Sequence, residues 1–268
     1  MTMFSSQWFA TTSFSGDFYG DLQALGLSGT CVLCLDAGES TSYSSGQKWL
    51  DLSGNGYDFF LGADGSASSD DPTFNGVAGD LSSSEFWSFD GSQLFTYDTD
   101  NEDWMNEMAQ DGADFTLLAW AYPGTVADEH TWFGTGSATT GIVYKTSHSG
   151  DSRLNVYNGS TGVLETDSGS SLSDSAWHLL GISINEASGS SDSFHFFDGT
   201  AATFTATYNP EPSTGDSSKM EIGGRPGAGS PSVLLNGDRM AGFMAFTSSL
   251  TESECDSIFD RQKARFGI

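Results

Sequence analysis

The chain has 268 residues, 13% of them aromatic and 33 of them glycine, and its 9 Lys+Arg against 36 Asp+Glu give a formal net charge of −27. A surface this negative repels nucleic-acid phosphates and anionic bilayers, which excludes both as partners, and no stretch approaches the roughly 18 apolar residues of a membrane span. The aromatic content is ample for a packed core, so the glycine and serine richness reads as tight turns between many short strands, not as disorder.

Taken in order, residues 1–29 differ from the rest of the chain. Phe4, Trp8, Phe9, Phe14, Phe18 and Tyr19 are scattered without period among Ser, Thr and Gly. They form either an arm packed over its own domain or an anchor that docks onto a partner subunit, and aromatic enrichment of interface cores favours the anchor. This opening lacks the basic and apolar regions of a signal peptide, so synthesis in a cytosol is expected, and three cysteines, an odd number, fit reduced thiols. Cys31-Val32-Leu33-Cys34-Leu35 is a buried strand. Its C-x-x-C spacing has no second Cys/His pair, and positions three apart on a strand face opposite sides, so two core cysteines are expected.

Trp49 and Leu52 are core contacts around Asp51-Leu52-Ser53-Gly54-Asn55-Gly56, a turn needing positive φ. Strands come next at Phe59–Leu61 and Glu85–Phe89; Asp100–Met108 is one helical turn or an acidic loop. Phe115–Tyr122 is the central strand, with Thr116, Leu118, Trp120 and Tyr122 on one face. His178, Leu180, Ile182 and Ile184 share a face of a later strand, and the polar loop Asn185–Ser193 leads to its neighbour with Phe194 and Phe196 together. Thr251–Glu254 is a capping box, opening a helix whose stripe is Cys255, Ile258, Phe259 and Gln262. About twelve strands, one terminal helix and no linker predict a single all-β antiparallel sandwich over 30–268, with 1–29 as an arm.

The motif order carries a family resemblance. Trp49-Leu50-Asp51-Leu52-Ser53-Gly54-Asn55-Gly56 is followed by Phe89-Asp90-Gly91, Trp177-His178, Phe197-Asp198-Gly199, Ile222-Gly223-Gly224, Asn236-Gly237-Asp238 and Ser249–Glu254. This resembles the laminin G-like branch of the concanavalin A-like lectin/glucanase jelly rolls over residues 30–268. The chain departs from that pattern at Ala241 and Gly242, where the family tends to carry Glu. The resemblance implies a jelly roll of a kind common in phage structural proteins.

Glycoside hydrolysis needs two carboxylates about 5–10 Å apart across a cleft; Glu102, Asp103 and Glu107 come nearest, on a segment that is not a strand. No nucleophile signature is present, and His130, His148, His178 and His195 lack metal-ligand spacing. The resemblance implies a rim calcium, for which Asp128, Glu129 and Asp151 are the candidates; Trp104 and Trp132 are the candidates for stacking on a sugar. The functional expectation is a non-enzymatic virion surface protein of a tailed phage, a capsid decoration, knob or tail-adhesin component. It is docked to other virion proteins through the N-terminal arm in a symmetric or homo-oligomeric assembly, and it presents the sandwich to a cell-surface glycan. The alternatives are a free calcium-assisted lectin and a glycoside hydrolase.

Overall fold

Along Asp114–Tyr122, Phe115, Leu117, Ala119 and Ala121 alternate with Thr116, Leu118 and Trp120, and every one of these is buried. A strand buries both faces only with a layer on each side. The computed structural model describes residues 16–136, 140–147, 150–158, 162–204, 218–226 and 233–268, and it supplies those layers.

The strands in chain order are β1 (Cys31–Asp36), β2 (Lys48–Trp49), β3 (Phe59–Leu61), β4 (Thr73–Asn75), β5 (Phe86–Ser88), β6 (Phe95–Tyr97), β7 (Asp114–Tyr122) and β8 (His130–Gly134). They continue as β9 (Thr140–Thr146), β10 (Asp151–Asn158), β11 (Gly162–Ser171), β12 (His178–Asn185), β13 (Phe194–Phe197), β14 (Thr200–Thr203), β15 (Glu221–Ile222) and β16 (Arg239–Phe246). One sheet has the order β14-β13-β12-β7-β16-β5-β4, with β1 also paired to β16; the other runs β11-β10-β9-β8-β15-β6-β3-β2. Pairing between the named strands is antiparallel throughout. The strands beyond the dozen read from sequence include pieces such as β2, two residues long, and β4 and β6, three residues each, too short to show a period.

Between the sheets lie Trp49, Trp87, Phe95, Phe133, Tyr144, Ile182 and Phe243. A second apolar layer, with Leu118, Trp120, Phe196 and Met244, is sealed by helices α1 (Phe18–Leu25) and α3 (Glu252–Gln262); the short α2 (Asp103–Glu107) lies elsewhere, its Met105 in the inter-sheet core. Thr251 caps α3 as its sequence predicts: its Oγ1 accepts from Glu254 N–H at 3.3 Å, and its own N–H donates to Glu254 Oε2 at 2.8 Å. Trp120 then donates from Nε1 to Gln262 Oε1 at 2.7 Å, and its ring stacks on Phe266 with centroids 4.1 Å apart.

The same layer revises the arm. Phe18 is fully buried on its own sheet, and Tyr19 is half-buried with its hydroxyl donating to Ser53 O at 3.2 Å. Both therefore belong to the domain, and the Phe18 ring is not free for a partner, whereas Tyr19 keeps part of its surface exposed; Phe4, Trp8, Phe9 and Phe14 lie outside the described residues. Phe18 fits because of Gly242: a Cβ there would lie 2.2 Å from the Phe18 ring. Any side chain at that position would occupy the place the aromatic ring now fills.

Cys31 and Cys34 are free and buried, as expected, but both face the helix layer, because the β1–β16 register slips between Cys31 and Leu33. Asp51 organises the Ser-Gly-Asn-Gly turn by accepting from the backbone N–H of Cys34, Ser53, Gly56 and Tyr57, with Gly54 and Gly56 at φ 90° and 77°.

Candidate functional site

Where β7 begins and β16 ends, α2 comes alongside and leaves a cleft of about 430 Å³. It is lined by Trp104, Glu107, Asp111, Asp114, Phe115 and Phe246 among others. Trp104 packs on Tyr57, centroids 5.9 Å apart, and its Nε1–H is buried without a protein acceptor. Glu102 accepts from the Tyr97 hydroxyl at 2.5 Å, which ties the start of α2 to β6; burial and this bond push the Tyr97 phenol well above its ordinary value. Glu186 accepts from the N–H of Gly112 and Ala113, fixing the loop that carries Asp111, and Asp114 accepts from Ser249 N–H.

The cleft thus joins one indole to three carboxylates at exposed positions, Glu107, Asp111 and Asp114. Such a set accepts hydrogen bonds from the hydroxyls of a ligand stacked on the ring. The three residues nearest to a hydrolytic pattern are not gathered: Glu102 turns to Tyr97, Asp103 is exposed on α2, and of the three Glu107 alone lines the cleft.

The other predicted residues fall elsewhere. Trp132 is fully buried between the sheets, donating to Thr146 Oγ1 at 3.3 Å and stacked beside His130, so it offers no face to a sugar. Glu129 is engaged by Lys145 Nζ at 2.9 Å. Among the described residues no group of three or more His, Cys, Asp or Glu stands together as a metal site, and Asp128, Glu129 and Asp151 are not gathered into one.

Three titratable groups away from the cleft have strongly shaped surroundings, His130 and His195 wholly buried and Glu221 half-buried. His130 Nδ1 lies 2.6 Å from Asp238 Oδ2, both wholly buried. Burial lowers the His130 pKa, but the bond to Asp238 and its charge outweigh this and raise it above the ordinary value. Asp238 also accepts from Gly124 N–H and Leu235 N–H, so the Asn-Gly-Asp motif clamps two loops. His195 Nδ1 lies 2.6 Å from Ser152 Oγ, which donates to the Tyr144 hydroxyl, itself bonded to Gly181 O; burial pushes its pKa down to about 3. Glu221 on β15 is pushed up to about 7 by burial. Strand alternation in the sequence places His195 inward opposite Ile182, and Asp238 belongs to the Asn-Gly-Asp motif, whereas Glu221 carries no local signal. His178 is satisfied by Asp198 Oδ2 at 2.6 Å, and His148 lies outside the described residues.

The sequence signature of the concanavalin A-like lectin/glucanases superfamily matches residues 98–255, more than half of the chain. The chain belongs to this superfamily. No curated protein matches it by sequence. Among solved structures, this superfamily member resembles the binding domain of Paraclostridial Mosquitocidal Protein 1, at 14% identity and TM-score 0.61, with 87% of the chain and 52% of that structure covered. The binding domain of botulinum neurotoxin serotype G is similar at 12% identity and TM-score 0.59, with coverages of 87% and 51%. Trypanosoma rangeli sialidase, solved with sialic acid, is similar at 13% identity and TM-score 0.57, with coverages of 88% and 34%. The chain therefore spans about half of the toxin domains and a third of the sialidase, and at these identities the likeness is one of fold. The concanavalin A-like architecture expected from the motif order is the architecture observed: a lectin-like β-sandwich.

Proposed function

We propose that the protein is a non-enzymatic recognition module that displays its lectin-like sandwich on the virion of a tailed phage and contacts a cell-surface glycan through the Trp104 cleft. The observation that carries the glycan reading is the cleft itself, one indole beside exposed acceptor groups with no acid pair enclosed in a dry trench. Binding domains among the fold neighbours support a non-catalytic role, and the motif order resembling phage structural domains supports the virion. Docking falls to the aromatic-rich residues 1–15, since Phe18 and Tyr19 serve the domain's own core.

A glycan array with the purified protein and its Trp104→Ala variant tests the recognition site. Binding of neutral glycans that drops at least tenfold in the variant, with an unchanged melting temperature, is the expected result; turnover of any bound glycan overturns the non-enzymatic reading. Antibody labelling of purified particles tests the location, and particles that assemble with normal copy number after removal of residues 1–15 rule out the docking role.

A further inference from the structure

A second cleft, of about 350 Å³, lies at the β4–β5 edge of the helix-covered sheet and is lined by Asn75, Phe86, Ser88, Gln93, Asn236 and Arg239 among others. The register places Arg239 opposite Ser88 on one side and Tyr122 on the other. Its guanidinium carbon lies 4.6 Å from the Phe86 ring centre and 4.4 Å from that of Tyr122. Two aromatic faces thus hold the group in place, which an ammonium on a flexible stem would not permit so well.

What Arg239 lacks is an acid. In a chain with 36 carboxylate residues, Lys48, Lys145, Arg261, Lys263 and Arg265 each hold an Asp or Glu, whereas among the described residues Arg153, Lys219, Arg225 and Arg239 form no ion pair, and of these Arg239 lines a cleft with no side-chain hydrogen bond of its own. None of its nitrogens is among the buried polar atoms left without a partner, so its N–H fork opens on solvent at the cleft. One carboxylate, Asp90, lines the cleft, and its Oδ1 accepts from the Ser92 N–H and hydroxyl at 3.0 and 2.8 Å. The remaining polar lining is neutral amide and hydroxyl.

We propose that this cleft takes a carboxylate-bearing sugar, its carboxylate forked on Arg239 and its hydroxyls on Asn75, Gln93 and Asn236. A planar fork matches a carboxylate through two parallel bonds, amides suit both the donor and acceptor roles of sugar hydroxyls, and the volume is that of a small-ligand site. The inference rests on the recognition-module reading above but uses a different cleft.

The test is calorimetric titration with an oligosaccharide of alternating glucuronic acid and N-acetylglucosamine, and with the same oligosaccharide after reduction of its carboxyls. The acidic form is expected to bind and the reduced form to bind at least tenfold more weakly. Arg239→Gln should lose at least tenfold, with Arg239→Lys restoring part of it. Asn236→Asp, on an exposed loop residue, should lose at least as much by repulsion without disturbing the aromatic sandwich. Equal binding of both forms, or undiminished binding by a folded Arg239→Gln or by Asn236→Asp, overturns the proposal. Should the protein bind neutral glycans through Trp104 but not the acidic probe, this inference fails and the recognition reading stands; should it bind no glycan at all, both fail.

Discussion

Arg265 Nη1 lies 2.8 and 2.9 Å from the two carboxylate oxygens of Asp36, with both side chains shut off from solvent and the two residues 229 positions apart in the chain. Asp36 also accepts from Phe18 N–H and Gly38 N–H, and the guanidinium lies 4.6 Å from the Phe18 ring. One ion pair therefore gathers β1, the start of α1 and the chain's last residues. Removing one member of a buried pair strands the other, at about 3–5 kcal/mol, whereas replacing both by apolar groups is far cheaper. Arg265→Met should lower the unfolding free energy by that amount in urea titration, and Asp36→Leu/Arg265→Met should recover most of it.

Gly242 admits Phe18, and Leu35 O also lies only 2.8 Å from where a Cβ would stand. Gly242→Ala must push both away in a close-packed layer, which costs about 1–3 kcal/mol. A melting temperature equal to that of the unsubstituted protein would show that α1 is held some other way.

His195 gives the fold a weakness toward acid. Its folded pKa of about 3 lies below the unfolded value of about 6.5, so the unfolded chain gains a proton that the folded chain refuses. Stability is intact above about pH 6.5 and drains as the pH falls toward 3, by about 1.4 kcal/mol per unit at most. At pH 4.5 this group should cost about 2–3 kcal/mol relative to pH 7, and His195→Gln should flatten that slope in denaturant titrations across the range.

Glu221 works in the opposite sense. Its folded pKa of about 7 exceeds the unfolded value of about 4.3, so its contribution is complete below about pH 4.3 and is lost as the pH rises through 7. Glu221→Gln should therefore stabilise the protein at pH 8, by about 2 kcal/mol, and leave it unchanged at pH 4. A gain of equal size at both values would show that the carboxylate's burial is not the cause.

How much was legible in the sequence depends on how far each signal reaches. The two-residue alternations in Phe115–Tyr122 and His178–Ile184 and the capping box at Thr251 are local, and each element stands where its pattern put it. The bulge that turns Cys31 to the side of Cys34 depends on a partner strand more than 200 residues away, which no local pattern encodes. The sites were harder. Trp104 and Trp132 are both isolated tryptophans with polar residues nearby, and packing is what separates a cleft wall from a core ring. Arg239 was passed over because cation and rings come from three strands that meet only in the folded sheet.

β16 is among the last strands of the chain, yet it lies in the middle of its sheet, with β7 on one edge and β1 and β5 sharing the other. During translation, more than 200 residues leave the ribosome before that central place can be filled, and β1 and β7 wait with open edges until it is. Closure of the sheet is accordingly a late, long-range event, slow by the measure of loop entropy, and a nascent chain interrupted ahead of Arg239 holds open edges on β1, β5 and β7 and an uncovered core, the form most in need of a chaperone.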